Sequence, residues 1–385
     1  MTDTSFIPTE NTEHKPAQAK TARRRLFQPD PKFRSEAWRG GKLELHKRDY
    51  DIIEAVARHR FLNTEQICKL FACDCPLGDK LAVRGGKPTM IKVKQHRDRC
   101  SCSCLVGDRK GEHAPHCPAL FKNDKHLVGR LRELFHAGYL GRPIAQLQLR
   151  IKNGIAAGSS PMVYCVSNAG LALLGDSRRT AIGLGKAAGF KNFKEGTRIF
   201  VEHTISIGDV SIGLDRALRG RSDLARISEA SLAAGMSDKR RATAHPWGLH
   251  AEHRGTPVSA VCDLVFGIRD LEDGRQFNFL VEVDRGHMPI ERRDLDQTSI
   301  KRKLIAYARA FESNEHVGAF GWRNFRVLVL TTSEQRVQSC VAAARAGFGK
   351  APVSRIFLFG TLDAADDLLN YEFATVDGKR VKLLE

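Results

Sequence analysis

Apolar positions recur at helical spacing from the first regular segment onward. In RDYDIIEAVARHR, Ile52, Ile53, Val56 and Ala57 form one stripe, which predicts a helix. Asn63-Thr64-Glu65-Gln66 then reads as a helix start, with Gln three residues after an Asn cap, and Ile67, Leu70 and Phe71 continue it. The pattern breaks and resumes at Asn123-Asp124-Lys125, opening a third helix with Leu127, Leu131, Leu134 and Phe135 on one face. Gly138 is placed to end that helix in the left-handed conformation. The period then switches to 2. Leu147, Leu149 and Ile151 alternate with Gln146, Gln148 and Arg150, and a returning strand at 162–166 is expected to close a hairpin on them.

A second set of elements follows a Gly-, Lys- and Arg-rich stretch read as a linker at 176–198. Residues 200–218 place Ile207, Val210, Leu214 and Leu218 at helical spacing. Strands are predicted at 224–228, 258–268 and 277–283, and a long helix at 290–311 carries Ile300, Leu304, Tyr307 and Ala308. RVLVLTT is a buried strand, 334–346 a helix and 356–359 another short strand. Asp377-Gly378 predicts a terminal hairpin. Helices alternating with the later strands imply a mixed sheet with helices on its faces.

The fold class is therefore α/β (α+β overall) in two units. Residues 43–175 have the element order of a winged helix-turn-helix, with a Cys-rich insertion at 73–120, and 199–385 form an α/β domain. Residues 1–42 show no sustained period and read as a disordered basic tail. The chain has 385 residues, with 62 Lys+Arg against 44 Asp+Glu, a formal net charge of +18. That surplus points to a polyanionic partner, double-stranded DNA above all. On the third helix and its approach, the candidate DNA contacts are Lys122, Lys125, Arg130 and Arg132; on the wing they are Arg150 and Lys152. Winged helices also dock proteins, so protein partners stay open. No apolar run is long enough to span a bilayer, and the N-terminus lacks a secretory pattern, so a cytoplasmic protein with no membrane partner is expected.

Seven of the ten cysteines fall between Cys68 and Cys117. In a cytoplasmic chain such a cluster reads as a metal site before a disulfide framework. Cys73, Cys75, Cys100, Cys102, Cys104, His113, His116 and Cys117 are the candidate ligands of a structural zinc ion. A loop with free thiols is the alternative. Cys165, Cys262 and Cys340 are scattered and read as small buried residues.

Acids stand at informative points in the second unit. Asp263 lies inside one predicted strand, and Glu282 and Asp284 close the next. On adjacent antiparallel strands the three carboxylates converge at one edge, which is costly unless a cation joins them. Hard oxygen ligands suit Mg²⁺ or Mn²⁺, with Asp263 and Glu282 as the candidate ligands. Lys303 lies one helical turn before Tyr307 and is placed to reach the same point; Glu202 is placed to complete the acidic cluster.

This layout resembles the PD-(D/E)XK nuclease core, in which an Asp, an acid on the next strand and a Lys two residues later bind metal and water. Asp263 and Glu282 match the first two positions. The third holds Asp284 where Lys is expected, and the resemblance makes Lys303 the substitute, with Lys301 behind it. The departure leaves both cleavage and simple binding open. DYDIIEAVARHRFLNTEQICKLF, LVGRLRELFHAGYL and VYCVSNAGLALLG, followed by VEHTISIGDV, CDLVF and LVEVDRGHMPIERRD, are similar to the replication-relaxation family of plasmid and mobile-element proteins. His203 also fits that family's pattern, although a lone His on a helix is more often structural. The resemblance implies DNA binding in plasmid replication, copy control or mobilisation, alongside other replication or mobilisation proteins. A metal-dependent endonuclease or nickase is the second reading and a winged-helix transcriptional regulator the third. A homodimer is compatible with each.

Overall fold

A computed structural model describes residues 43–71, 125–145, 151–152, 155–156, 161–181, 197–219, 221–349 and 351–385. The tail at 1–42 and the Cys/His insertion, with Cys73, Cys75, Cys100, Cys102, Cys104, His113, His116 and Cys117, lie outside the described residues, as do Lys122 and Arg150. The side chains of Lys125 and Lys152 also lie outside them.

The first unit is built from α1 (Lys47–His59), β1 (Leu62–Asn63), α2 (Thr64–Phe71), α3 (Lys125–His136), β2 (Leu140–Gly141), β3 (Ile151–Lys152), β4 (Ile155–Ala156) and β5 (Val163–Val166). The stripe read from the sequence is its core: Ile52, Ile53, Val56, Leu127, Leu131, Leu134 and Phe135 are buried together. Gly138 has φ 88°, ending α3 as its lack of a Cβ allows. Residues 146–150, most of the outgoing strand of the expected hairpin, lie outside the described residues. The four residues of β5 pair with β1 and β2, in the order β1-β5-β2, and among the described residues β3 and β4 pair with each other. The reason is burial: VYCV is apolar along its whole length and fully buried, which suits a central strand rather than a half-exposed arm. Helix α4 (Asn168–Ala181) follows, with non-helical backbone at Gly175.

Helix α5 (Arg198–Leu218), capped by Thr197, joins the two units. Its Val210, Leu214 and Leu218 pack on the large sheet, its Ile212 enters the first unit's core, and its Val201 meets Phe61, Val163 and Cys165. Gln66 of α2 donates to the Ile205 carbonyl at 2.7 Å and to Asp209 Oδ1 at 2.8 Å.

The second unit continues with β6 (Leu224–Ile227), α6 (Glu229–Leu232), α7 (Asp238–Arg241), β7 (Gly248–His253), β8 (Thr256–Val261), β9 (Leu264–Asp270) and β10 (Gln276–Asp284). It closes with α8 (Ile300–Glu312), α9 (Glu315–Phe320), β11 (Arg326–Thr331), α10 (Glu334–Phe348), β12 (Phe357–Thr361), β13 (Phe373–Ala374) and β14 (Arg380–Val381). Seven strands form one mixed sheet in the order β14-β13-β12-β11-β10-β9-β6, parallel across β10, β11 and β12. One face carries α8 and α10, and α5 packs on the other. The terminal hairpin forms at Gly378, φ 92°.

Three boundaries differ from the sequence reading. The linker expected from residue 176 is helical as far as Ala181, the end of α4. The single strand expected at 258–268 is β8 and β9, broken at Cys262-Asp263; β8 pairs with β7 in a separate ribbon against α8. The helix expected from residue 290 begins at Ile300, where Ser299 accepts from the Arg302 N–H. Residues 291–298 are mostly exposed and polar, so they have no apolar face to bury as a helix. Among the described residues no helix is long and apolar enough to cross a membrane.

Candidate functional site

Strand β10 alternates, so Leu280, Glu282 and Asp284 share one face while Val281 and Val283 face α5. Glu282 is 4% exposed. Its Oε2 accepts from Lys303 Nζ at 2.6 Å and its Oε1 from the Tyr307 hydroxyl at 2.5 Å. Lys303 and Tyr307 are four residues apart on α8, hence on one face.

Asp263 sits at the break between β8 and β9, one step past the paired residues Leu264 and Val281. Its N–H donates to the Val281 carbonyl at 2.9 Å, and its Oδ2 accepts from the Val283 N–H at 2.8 Å. Its Oδ1 lies 3.1 Å from His203 Nε2, on α5. The interruption between β8 and β9 is therefore what delivers Asp263 to the end of β10.

These groups feel one another's charge. Burial pushes the Glu282 carboxyl up to about 7; Lys303 pulls it down and Asp263 pushes it up. Burial also opposes the charges of Asp263 and Lys303, but their neighbours outweigh it. The His203 hydrogen bond and the Lys303 ammonium hold Asp263 below the usual carboxylate range. Glu282 and Asp263 hold Lys303 above the usual ammonium value. Tyr307 and Cys262 are both pushed well up by burial first and by Glu282 next.

Asp284 and Glu202 are placed differently from these. Asp284 is buried, and its carboxylate accepts from Arg336 of α10 and from the Gly286 N–H. Glu202 accepts from Arg198 at 2.8 Å and Arg285 at 3.1 Å. Among the described residues no group of three or more His, Cys, Asp or Glu is arranged to hold a metal ion. Lys301 pairs with Glu291 at 3.3 Å, away from Glu282. The sequence reading named Tyr307 only as a helix position one turn after Lys303 and did not name Arg285; the Lys-x-x-x-Tyr spacing on a helix that covers an acid-bearing strand was the available signal for the bond from Tyr307 to Glu282.

In the first unit, Arg132 is exposed on α3. Arg130, a candidate phosphate contact, instead directs its guanidinium inward to buried Asp49, to Glu133 and to the Glu44 carbonyl, tying α3 to α1. Cys165 and Cys340 are buried thiols and Cys262 is partly buried.

A family model described as Replication-relaxation matches residues 114–321, more than half of the chain. No curated protein and no solved structure matches it.

Proposed function

Since this chain belongs to the replication-relaxation family, we propose that it is a DNA-binding protein of a plasmid or mobile element, acting in replication, copy control or mobilisation. The observation that supports the reading is the element order among the described residues from 47 to 166: helix, strand, helix, then, beyond the Cys/His insertion, helix, strand, hairpin, strand. A winged helix has this order, with the third helix in the major groove and the hairpin against the backbone. The +18 net charge supplies the attraction. Replacing Lys125 or Arg132 by Gln is expected to weaken duplex binding and lower the slope of log affinity against log salt by about one unit each. Unchanged affinity and slope in both variants would remove α3 from the interface.

A second reading, metal-dependent strand cleavage, is favoured by one observation: the Lys303–Glu282 bond beside Asp263. Asp263 and Glu282 fit a hard divalent cation by their chemistry. Both are carboxylates, each oxygen keeps a lone pair beyond the hydrogen bond it accepts, and their mutual repulsion would be relieved. Mg²⁺ or Mn²⁺ held there would supply Lewis acidity towards a phosphodiester. In this reading Lys303 places a positive charge beside the reacting phosphate, while His203 and Tyr307 hold the two carboxylates in position. Supercoiled plasmid incubated with either metal ion separates the readings. Nicking lost in Asp263→Asn and Glu282→Gln supports cleavage; intact plasmid under every metal condition leaves binding alone.

A further inference from the structure

Arg285 comes directly after the acid-bearing end of β10 and lies partly buried between that strand and α5. Its Nη1 donates to Ser206 Oγ at 2.8 Å and its Nη2 to Glu202 Oε2 at 3.1 Å. Its Nε is buried and has no hydrogen-bond partner. A buried N–H left unpaired costs about 1–3 kcal/mol, so the bonds to Ser206 and Glu202 do not satisfy all of this side chain's donors. Glu202 is also shared: its other oxygen accepts from Arg198. The same turn of α5 carries His203, bonded to Asp263. Arg285 thus stands at the same end of β10 as Asp263 and Glu282, on the α5 side of the strand. The loop that follows leaves His287, Arg292 and Arg293 exposed.

We infer that Arg285 is a phosphate clamp, its guanidinium propped by Ser206 and Glu202 to receive one phosphodiester of a nucleic-acid backbone crossing the end of β10. The clamp rests on the DNA-binding reading above and adds the group by which the second unit takes hold of the strand. A guanidinium suits this task because its planar fork offers parallel donors to two phosphate oxygens, where an ammonium offers a point charge. Glu202 and Ser206 set the plane of that fork in advance, so little side-chain freedom is lost on binding.

Anisotropy of a fluorescein-labelled duplex, titrated with the full chain over a series of salt concentrations, tests the clamp. Arg285→Gln is expected to bind more weakly, with a salt slope lower by about one unit. Arg285→Lys keeps the charge and should keep the slope, yet bind more weakly because the fork is gone. Lys379→Gln removes the same charge from the exposed terminal hairpin, at the far edge of the sheet, and should match the wild type. The clamp is overturned if Arg285→Gln or Arg285→Lys retains wild-type affinity, or if Lys379→Gln loses as much as Arg285→Gln. A wild-type chain that binds no duplex overturns the DNA-binding reading and the clamp with it. Binding that survives in the Arg285 variants removes the clamp alone.

Discussion

Lys303 reaches from α8 to the strand beneath it and donates to Glu282 Oε2 at 2.6 Å. The pair is buried, so its value is asymmetric: removing one partner leaves the other charge stranded. Lys303→Met is expected to cost about 3 kcal/mol above pH 7, within the range for a broken buried pair. Burial already raises Glu282 from its ordinary 4.5 to about 7, so at lower pH the stranded carboxyl takes a proton and the cost shrinks. Denaturant unfolding of the variant on both sides of that value measures the difference. The wild type carries the same linkage: the Glu282 contribution is fully present below 4.5 and is lost as pH rises through about 7.

His59, at the end of α1, behaves in the opposite sense. Burial, helped by Arg58, lowers its imidazole from 6.5 to about 4, although Asp215 pulls the other way. The native state therefore resists protonation that the unfolded chain accepts. Its contribution is present above 6.5 and is lost as pH falls through about 4. The His59 and Glu282 windows overlap with opposed slopes, so each must be read as a difference from its own variant. Acid unfolding of His59→Gln should be shifted to lower pH than that of the wild type; coincident curves would show that His59 is not the responsible group.

Gln66 is 1% exposed and serves two elements at once. It exchanges two hydrogen bonds with Asn63, capping α2, and its amide nitrogen bonds Ile205 and Asp209 of α5. Gln66→Ala deprives the carbonyl and the carboxylate of α5 of their donor and should cost about 2–3 kcal/mol in urea unfolding. Burial holds Asp209 above its usual value while the Gln66 bond lowers it, so the variant's Asp209 should titrate higher still.

Gly213 sits where α5 crosses the short 3-10 turn Leu362–Asp366. A Cβ there would come within 1.9 Å of the Ala365 carbonyl oxygen, which is backbone and cannot rotate away. Gly213→Ala gains about 1 kcal/mol of helix propensity. The overpacking costs more, so a net loss of about 1–3 kcal/mol is expected from the urea midpoint. A stabilised variant would show that the two elements can separate.

Much of the fold was legible because burial imposes its period on the chain. The stripe of α1 and α3, the Asn63–Gln66 start, the turn at Gly138 and the hairpin at Gly378 each follow from contacts close in sequence. The acids Asp263 and Glu282 were legible as a pair because each interrupts an apolar, strand-like run, although the strand break at Asp263 was not. The partner of each charge was not legible. Arg130 and Arg132 look alike in the sequence, yet one meets buried Asp49, eighty-one residues away, and the other is exposed. Asp284 and Glu282 are two residues apart on one face, yet Arg336 takes the first and Lys303 the second.

The sequence alone determined the order and type of most elements, the family, the positive charge and the acids set within strand-like runs. Each depends on local spacing, composition or motif. Only the tertiary structure decided that β5 lies between β1 and β2, that the strand is interrupted at Asp263, that α5 serves both units, and that Lys303 rather than Lys301 meets Glu282. Those outcomes depend on which distant surfaces come together, and that is settled by the packing of the whole sheet and its helices.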